Sequence, residues 1–198
     1  MFVTFEGVDG SGKSTQARLL AERLRADGRE VVLTREPGGT ALGEKVRGLL
    51  LHGEQVAPWA EAALFAAARA QLVDEVIRPA LARGADVVSD RYLDSSLAYQ
   101  GLTRGLGIER VLELNLLVTS GMLPDRTFLV LVPPDQAAAR RGDEPDRIER
   151  EGPGFTEEVD RAYREIARVF AQRVVVVDGT RKAEDIASDV HGRVRDLS

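Results

Sequence analysis

The chain is 198 residues long, carries 27 basic against 32 acidic side chains, and contains no cysteine. The missing thiols exclude disulfides, thiolate zinc sites and cysteine nucleophiles, and the slightly acidic balance offers no basic face for duplex nucleic acid. No apolar run approaches the roughly 20 residues of a membrane span, and the length predicts one domain, residues 1–198, with a full-sized core.

The apolar residues Phe2, Val3 and Phe5 predict a buried parallel strand at the very start of the chain. With a strand beginning within two residues, no signal or transit peptide is expected, and the cytoplasm is the expected location. The next stretch, Gly7-Val8-Asp9-Gly10-Ser11-Gly12-Lys13-Ser14, matches the phosphate-cradling pattern G-x-x-x-x-G-K-[ST] residue for residue. Gln16 to Leu24 follows with helical periodicity, so strand, glycine loop and helix come in the order that pattern needs. A glycine turn that merely precedes a helix is the bland alternative, and the context argues against it. Glycines let several N–H groups close around one anion, and the helix dipole adds to the same spot. Lys13 supplies a mobile charge for the β- and γ-phosphates of a nucleotide, and the Ser14 hydroxyl suits Mg²⁺. Residues 7 to 15, closing on Thr15, are therefore the expected nucleotide-phosphate loop.

Glu30 to Thr34 predicts a second strand after the Asp27-Gly28 helix stop. Arg35-Glu36-Pro37-Gly38-Gly39-Thr40 reads as a loop at the carboxyl edge of the sheet, where ligands of parallel sheets bind. Ala41 to Leu51 reads as a helix with Leu42, Val46, Leu49 and Leu50 on one face. A break at Gly53 and Pro58 precedes a long alanine-rich helix, about Trp59 to Arg83, which Pro79 should kink or end. Asp86 to Asp90 is a third strand ending on a carboxylate that can help hold Mg²⁺. Residues 91 to 101 read as loop and short helix, Ile108 to Ser120 as a helix, and Thr127 to Val132 as a fourth strand. Gln136 to Arg141 is a short helix, Phe155 to Arg173 a longer one, Val174 to Val177 a fifth strand and Lys182 to Leu197 a closing helix. Residues 142–154, charged and broken by glycine and proline, are the expected lid. His52 and His191, the two histidines, read as surface or capping residues. Five strands alternating with helices make an α/β fold with a parallel sheet covered on both faces.

Taken together, FEGVDGSGKST (5–15), TREPGGT (34–40), FAAARAQL (65–72), SDRYLDSSLAYQG (89–101) and DRIEREG (146–152) resemble the thymidylate kinases, within the nucleoside monophosphate kinases. The resemblance implies a P-loop NTPase type of three-layer sandwich around a five-stranded parallel sheet, and a homodimer. It implies transfer of the γ-phosphoryl of ATP to thymidine 5′-monophosphate, with Mg²⁺. By motif position, Lys13 and the loop hold the ATP phosphates, and Ser14 and Asp90 the metal. Asp9 reaches the acceptor's 3′-hydroxyl, Arg91 clamps the acceptor phosphate with help from Arg35, and Phe65 stacks on thymine. Arg69, one turn on from Phe65, donates to O4; Ser96 and Gln100 form the polar edge of the base site. Tyr99 crowds C2′ and disfavours ribose. The loop holds no arginine of the kind some relatives carry, so the cation for the transferred group is expected from the lid: Arg147 and Arg150, with Arg141 before them. Leu131 departs from the resemblance, standing where relatives often carry an acidic residue.

Two rivals share these residues. A kinase for another nucleoside or nucleotide would keep the loop but not the Phe65, Arg69 and Tyr99 set. A P-loop switch protein would hold ATP without needing Arg91 or the lid arginines.

Overall fold

The computed structural model describes residues 1–140, 147–195 and 197. Five parallel strands form one sheet: β1 (Phe2–Glu6), β2 (Val31–Arg35), β3 (Asp86–Asp90), β4 (Arg126–Leu131) and β5 (Val174–Asp178), in spatial order β2-β3-β1-β4-β5. The α/β architecture read from the alternation of elements is therefore the observed one. Every join between strands runs through helix, as parallel pairing requires.

Alternation along β1 assigns its side chains to two faces. Val3 and Phe5 face a layer made by α1 (Lys13–Ala26) and α9 (Ala183–Arg195). The α1 residues Ala17, Leu20, Ala21 and Leu24 recur at helical spacing and are all buried there. Phe5 stacks on Phe128 with centroids 5.5 Å apart, and burying each such ring contributes about 1.5–3 kcal/mol. Phe2, Thr4 and Glu6 face the opposite layer.

That second layer contains α2 (Ala41–His52), α3 (Pro58–Leu72), α4 (Arg78–Ala82), α5 (Leu93–Ser96), α6 (Ile108–Thr119) and α8 (Pro153–Val169), with the short α7 (Pro134–Ala139) beside the glycine loop. Thr40 caps α2 by accepting from the Gly43 N–H at 2.9 Å. The expected apolar face of α2 is corrected: Val46, Leu50 and Leu51 turn inward, while Leu42 and Leu49 are exposed. The expected helix 59–83 is one rod with a π-helical turn, Val73–Ile77, inserted before Pro79, so the register adjusts one turn ahead of the proline. A second π-helical stretch, Leu97–Thr103, carries Tyr99 and Gln100.

Two boundaries of the expected lid also shift, and its residues 142–146 lie outside those described. Pro153 and Gly154, counted with the lid, already belong to α8, because proline suits the first turn of a helix. Residues 147–151 form a turn and a 3₁₀ segment rather than an α-helix.

Candidate active site

Sheet register brings the chemistry to one edge. Phe5 and Arg35 are both level with Asp90, so the glycine loop, the end of β2 and the Asp90-Arg91 pair meet at adjacent carboxyl ends. Gly12 is left-handed at φ 95° and caps α1 with no side-chain bond, leaving the first turn of the helix facing the loop. At Gly10, φ 84°, a Cβ would stand 2.1 Å from the Ala137 carbonyl oxygen, so no larger residue fits this turn.

Two recesses flank the loop. One is a cleft of about 880 Å³ whose walls include Ser14, Thr34, Arg35, Gly39 and Asp90. Asp90 Oδ1 is buried there with no hydrogen-bond partner among the described residues. One orphaned carboxylate oxygen and one hydroxyl on the same wall fit a hard, oxygen-ligated cation such as Mg²⁺, which completes its shell with water and phosphate. The other recess, about 510 Å³ with its mouth included, has Asp9, Arg91, Phe65, Ser96, Tyr99 and Gln100 on its walls. It is of the size and mixed polarity of a small-molecule site. Six of the expected acceptor residues are thus brought together.

Asp9 stands where the two sides meet. Its Oδ1 accepts from Lys13 Nζ at 2.8 Å and from an Arg91 guanidinium N–H at 2.6 Å. Burial works against the charge on Asp9, yet Arg91 and Lys13 hold its carboxyl well below the usual carboxylate range. Arg91 itself sits at φ 73°, a conformation that costs a non-glycine residue energy and that surrounding bonds must hold. Its other bonds go to Ser95 Oγ and Tyr163 OH, each at 3.0 Å, and it lies 5.5 Å from the Tyr99 ring centroid.

Behind Arg91 lies Glu6, which the sequence reading did not single out. It is fully buried and accepts from the Tyr92 N–H at 2.7 Å, Ser95 Oγ at 2.6 Å and Tyr163 OH at 2.9 Å. Burial pushes its carboxyl up, Asp94 adds to this, and Arg91 and the donors pull back, leaving it at about 7. The available signal was an acidic residue closing an otherwise apolar strand just before the glycine loop.

Three of the expected residues take other partners. Arg35 is on the Ser14–Asp90 cleft, bonded to Glu44 at 3.0 Å, because β2 ends level with Asp90 and the first turn of α2 captures the guanidinium. Arg47 is the arginine that joins Arg91 on the other recess, steadied by the Pro37 carbonyl at 3.0 Å. Arg69 does not line the recess. It is 1 % exposed, and its donors go to Glu36 (2.8 Å), Ser96 Oγ (3.0 Å), the Tyr92 carbonyl (3.1 Å) and Asn115. A guanidinium buried in an α/β layer must satisfy its donors, and these partners do so.

Arg147 is held by a backbone carbonyl and a carboxylate. Its Nε donates to the Leu50 carbonyl at 2.7 Å and its guanidinium reaches Glu61 at 2.5 Å, docking it on α2 and α3. The buried carboxylate of Glu61 is a stronger partner than water for a nearby arginine. Its neighbour Ile148 is buried and forms part of the wall shared by Asp9 and Phe65. Arg150 is exposed, and Arg141 lies outside the described residues. His191 bonds Asp27 at 2.7 Å on the surface.

A family model described as Thymidylate kinase matches residues 5–190. The thymidylate kinase of Bifidobacterium longum (strain DJO10A) is 46% identical over 203 residues, an alignment covering 100% of this chain and 98% of that protein. The thymidylate kinase of Desulforudis audaxviator (strain MP104C) is 48% identical over 201 residues, covering 100% of this chain and 91% of that protein. Among solved structures, thymidylate kinase from Ehrlichia chaffeensis matches with a TM-score of 0.78 at 35% identity, covering 100% of this chain and 97% of the other.

Proposed function

The chain belongs to the thymidylate kinase family, and on that premise we propose which of its residues carry the reaction. The protein phosphorylates thymidine 5′-monophosphate to the diphosphate with ATP as donor, a step in dTTP synthesis. The transition state of such a transfer is loose, so the protein's task is positioning and charge neutralisation rather than covalent chemistry. The acceptor phosphate is already anionic and needs no general base.

On the donor side, Gly7 to Thr15 cradle the ATP phosphates and Lys13 exchanges Asp9 for the β- and γ-phosphates. Ser14 and Asp90 would hold Mg²⁺, which supplies neutralisation of the developing charge. On the acceptor side, Arg91 holds the phosphate through its planar fork, and Arg47 takes the helping part expected of Arg35. Phe65 stacks on the base, Tyr99 packs against the sugar, and Ser96 and Gln100 meet the base edge. Arg69 lies one layer behind and reaches the base only by giving up its bond to Ser96. Arg147 and Arg150 are assigned to the transferred group, for which Arg147 must leave Glu61. Arg141 belongs to the same lid assignment.

The observation that carries this account is the Asp9 carboxylate bridging Lys13 and Arg91, one group on the phosphate loop and one on the nucleoside recess. Arg91→Lys tests it. The variant keeps the charge and loses the fork, so KM for dTMP should rise about 10-fold or more, with KM for ATP little changed. An unaltered KM for dTMP would remove Arg91 from the acceptor site.

A single catalytic domain over residues 1–198, a homodimer and a cytoplasmic location complete the proposal. α2, α3 and α6 pack side by side and expose Leu42, Leu49, Trp59 and Leu117, the last at 78%. Apolar surface of this kind on neighbouring helices suits a second copy, and sedimentation of Leu117→Glu against the parent chain measures it. No helix among the described residues is long and apolar enough to cross a membrane.

A further inference from the structure

Glu61 has no part in the reaction outlined above, yet it is 1 % exposed on α3 and three side chains converge on it. Gln100 Nε2 donates to Oε1 at 2.9 Å, Arg104 Nε donates to the same oxygen at 3.3 Å, and Arg147 reaches Oε2 at 2.5 Å. Glu61, Phe65 and Arg69 follow one another at i, i+4 and i+8, so the carboxylate stands one turn from the residue assigned to stack on the base.

A side-chain amide can face either way unless a neighbour decides for it. An ionised carboxylate only accepts hydrogen bonds. Next to Glu61, Gln100 must therefore turn its NH₂ group to the carboxylate, and its Oε1 acceptor is the end left for the recess it lines. The two arginines keep Glu61 charged. Burial opposes that charge, but Arg147, Gln100 and Arg104 together hold its carboxyl below the usual value.

We propose that Glu61 is a positioning residue for base specificity: it locks the Gln100 amide with its acceptor toward the base, admitting pyrimidines whose N3 carries a proton. Thymine and uracil meet that acceptor with an N3–H donor. Cytosine brings a lone pair at N3, and two acceptors facing each other in a desolvated site are costly. The inference rests on the reading of Gln100 as a base-edge contact. Because Arg147 shares the same carboxylate, base reading and the docking of residues 147–148 meet at one group.

Glu61→Gln is the test, assayed with dTMP and dCMP. An amide at position 61 donates as well as accepts, so Gln100 becomes free to turn. The dTMP-over-dCMP ratio of kcat/KM should fall about 10-fold or more, and KM for dTMP should rise about 10-fold. KM for ATP should stay within about twofold. Glu61→Asp remains acceptor-only and should keep the ratio near that of the parent even where it lowers the melting temperature. Should the amide variant not fold, Glu61→Ala makes the same test, since it also releases Gln100. An unchanged ratio in the variant that frees Gln100, whatever its stability, overturns the proposal. Gln100→Leu separates the two readings: if it leaves KM for dTMP unaltered, the base-edge contact itself is wrong. If it raises that KM while Glu61→Gln leaves the ratio unchanged, only the role of Glu61 is lost.

Discussion

The Tyr163 hydroxyl donates to Glu6 Oε2 at 2.9 Å, joining the strand before the phosphate loop to the helix after the lid across 157 residues of chain. The same hydroxyl lies 3.0 Å from an Arg91 nitrogen. Arg91, which holds a left-handed backbone, is thereby fixed from the sheet and from α8 at once. Its guanidinium is set before any acceptor arrives, which is the condition for a positioned phosphate clamp.

Glu6 makes stability depend on pH in a defined direction. Burial, with Asp94 adding to it, raises its carboxyl in the folded state from 4.5 to about 7. The folded chain therefore binds this proton more tightly than the unfolded one. Its contribution is fully present below about 4.5 and is lost as pH rises through about 7. Glu6→Gln removes that titration. The melting temperature of the parent minus that of Glu6→Gln should fall between pH 5 and pH 8, measured by thermal unfolding in matched buffers. A difference that is flat or rises over that window would show that Glu6 is ionised throughout.

Phe65→Ala should weaken the acceptor selectively. Phe65 lines the nucleoside recess and is half-buried against the Val46, Leu50 and Leu51 cluster. Loss of base stacking is worth about 1–3 kcal/mol, so kcat/KM for dTMP should drop roughly 10- to 100-fold. KM for ATP should barely move, because no part of the ring faces the Ser14–Asp90 cleft. Initial rates with one substrate varied at saturation of the other measure both. An equal rise in both constants would indicate a general loss of structure.

Arg147→Ala asks where this arginine acts. As the cation at the transferred group it should lower kcat by roughly 10³, with little change in ATP affinity, in line with arginine fingers. In the docked position it serves Glu61 and the Leu50 carbonyl. Near-parental turnover with a lowered melting temperature would leave it only that docking part and pass the charge to another residue.

The sequence alone carried the strand, glycine loop and helix, the five-strand count and the ending of β3 on Asp90. Those are local patterns: a run of apolar residues, a helical stripe, a turn that only glycine fits, each legible within about a dozen residues. Phe65, Tyr99, Ser96 and Gln100 were found by their motifs and do share one recess. Missing from the sequence was the direction of each charged side chain. Arg35 belongs to one cleft and Arg47 to the other because of where β2 ends against β3. Arg69 is spent on Glu36, Ser96 and Asn115, and Arg147 on Glu61, partners 33, 27, 46 and 86 residues distant. Glu6 gained its part only when α5 and α8 closed over it. An arginine in a buried layer takes whichever acceptors the strand order and helix packing bring within about 3 Å. Spacing along the chain does not contain that competition, so the tertiary structure decided it.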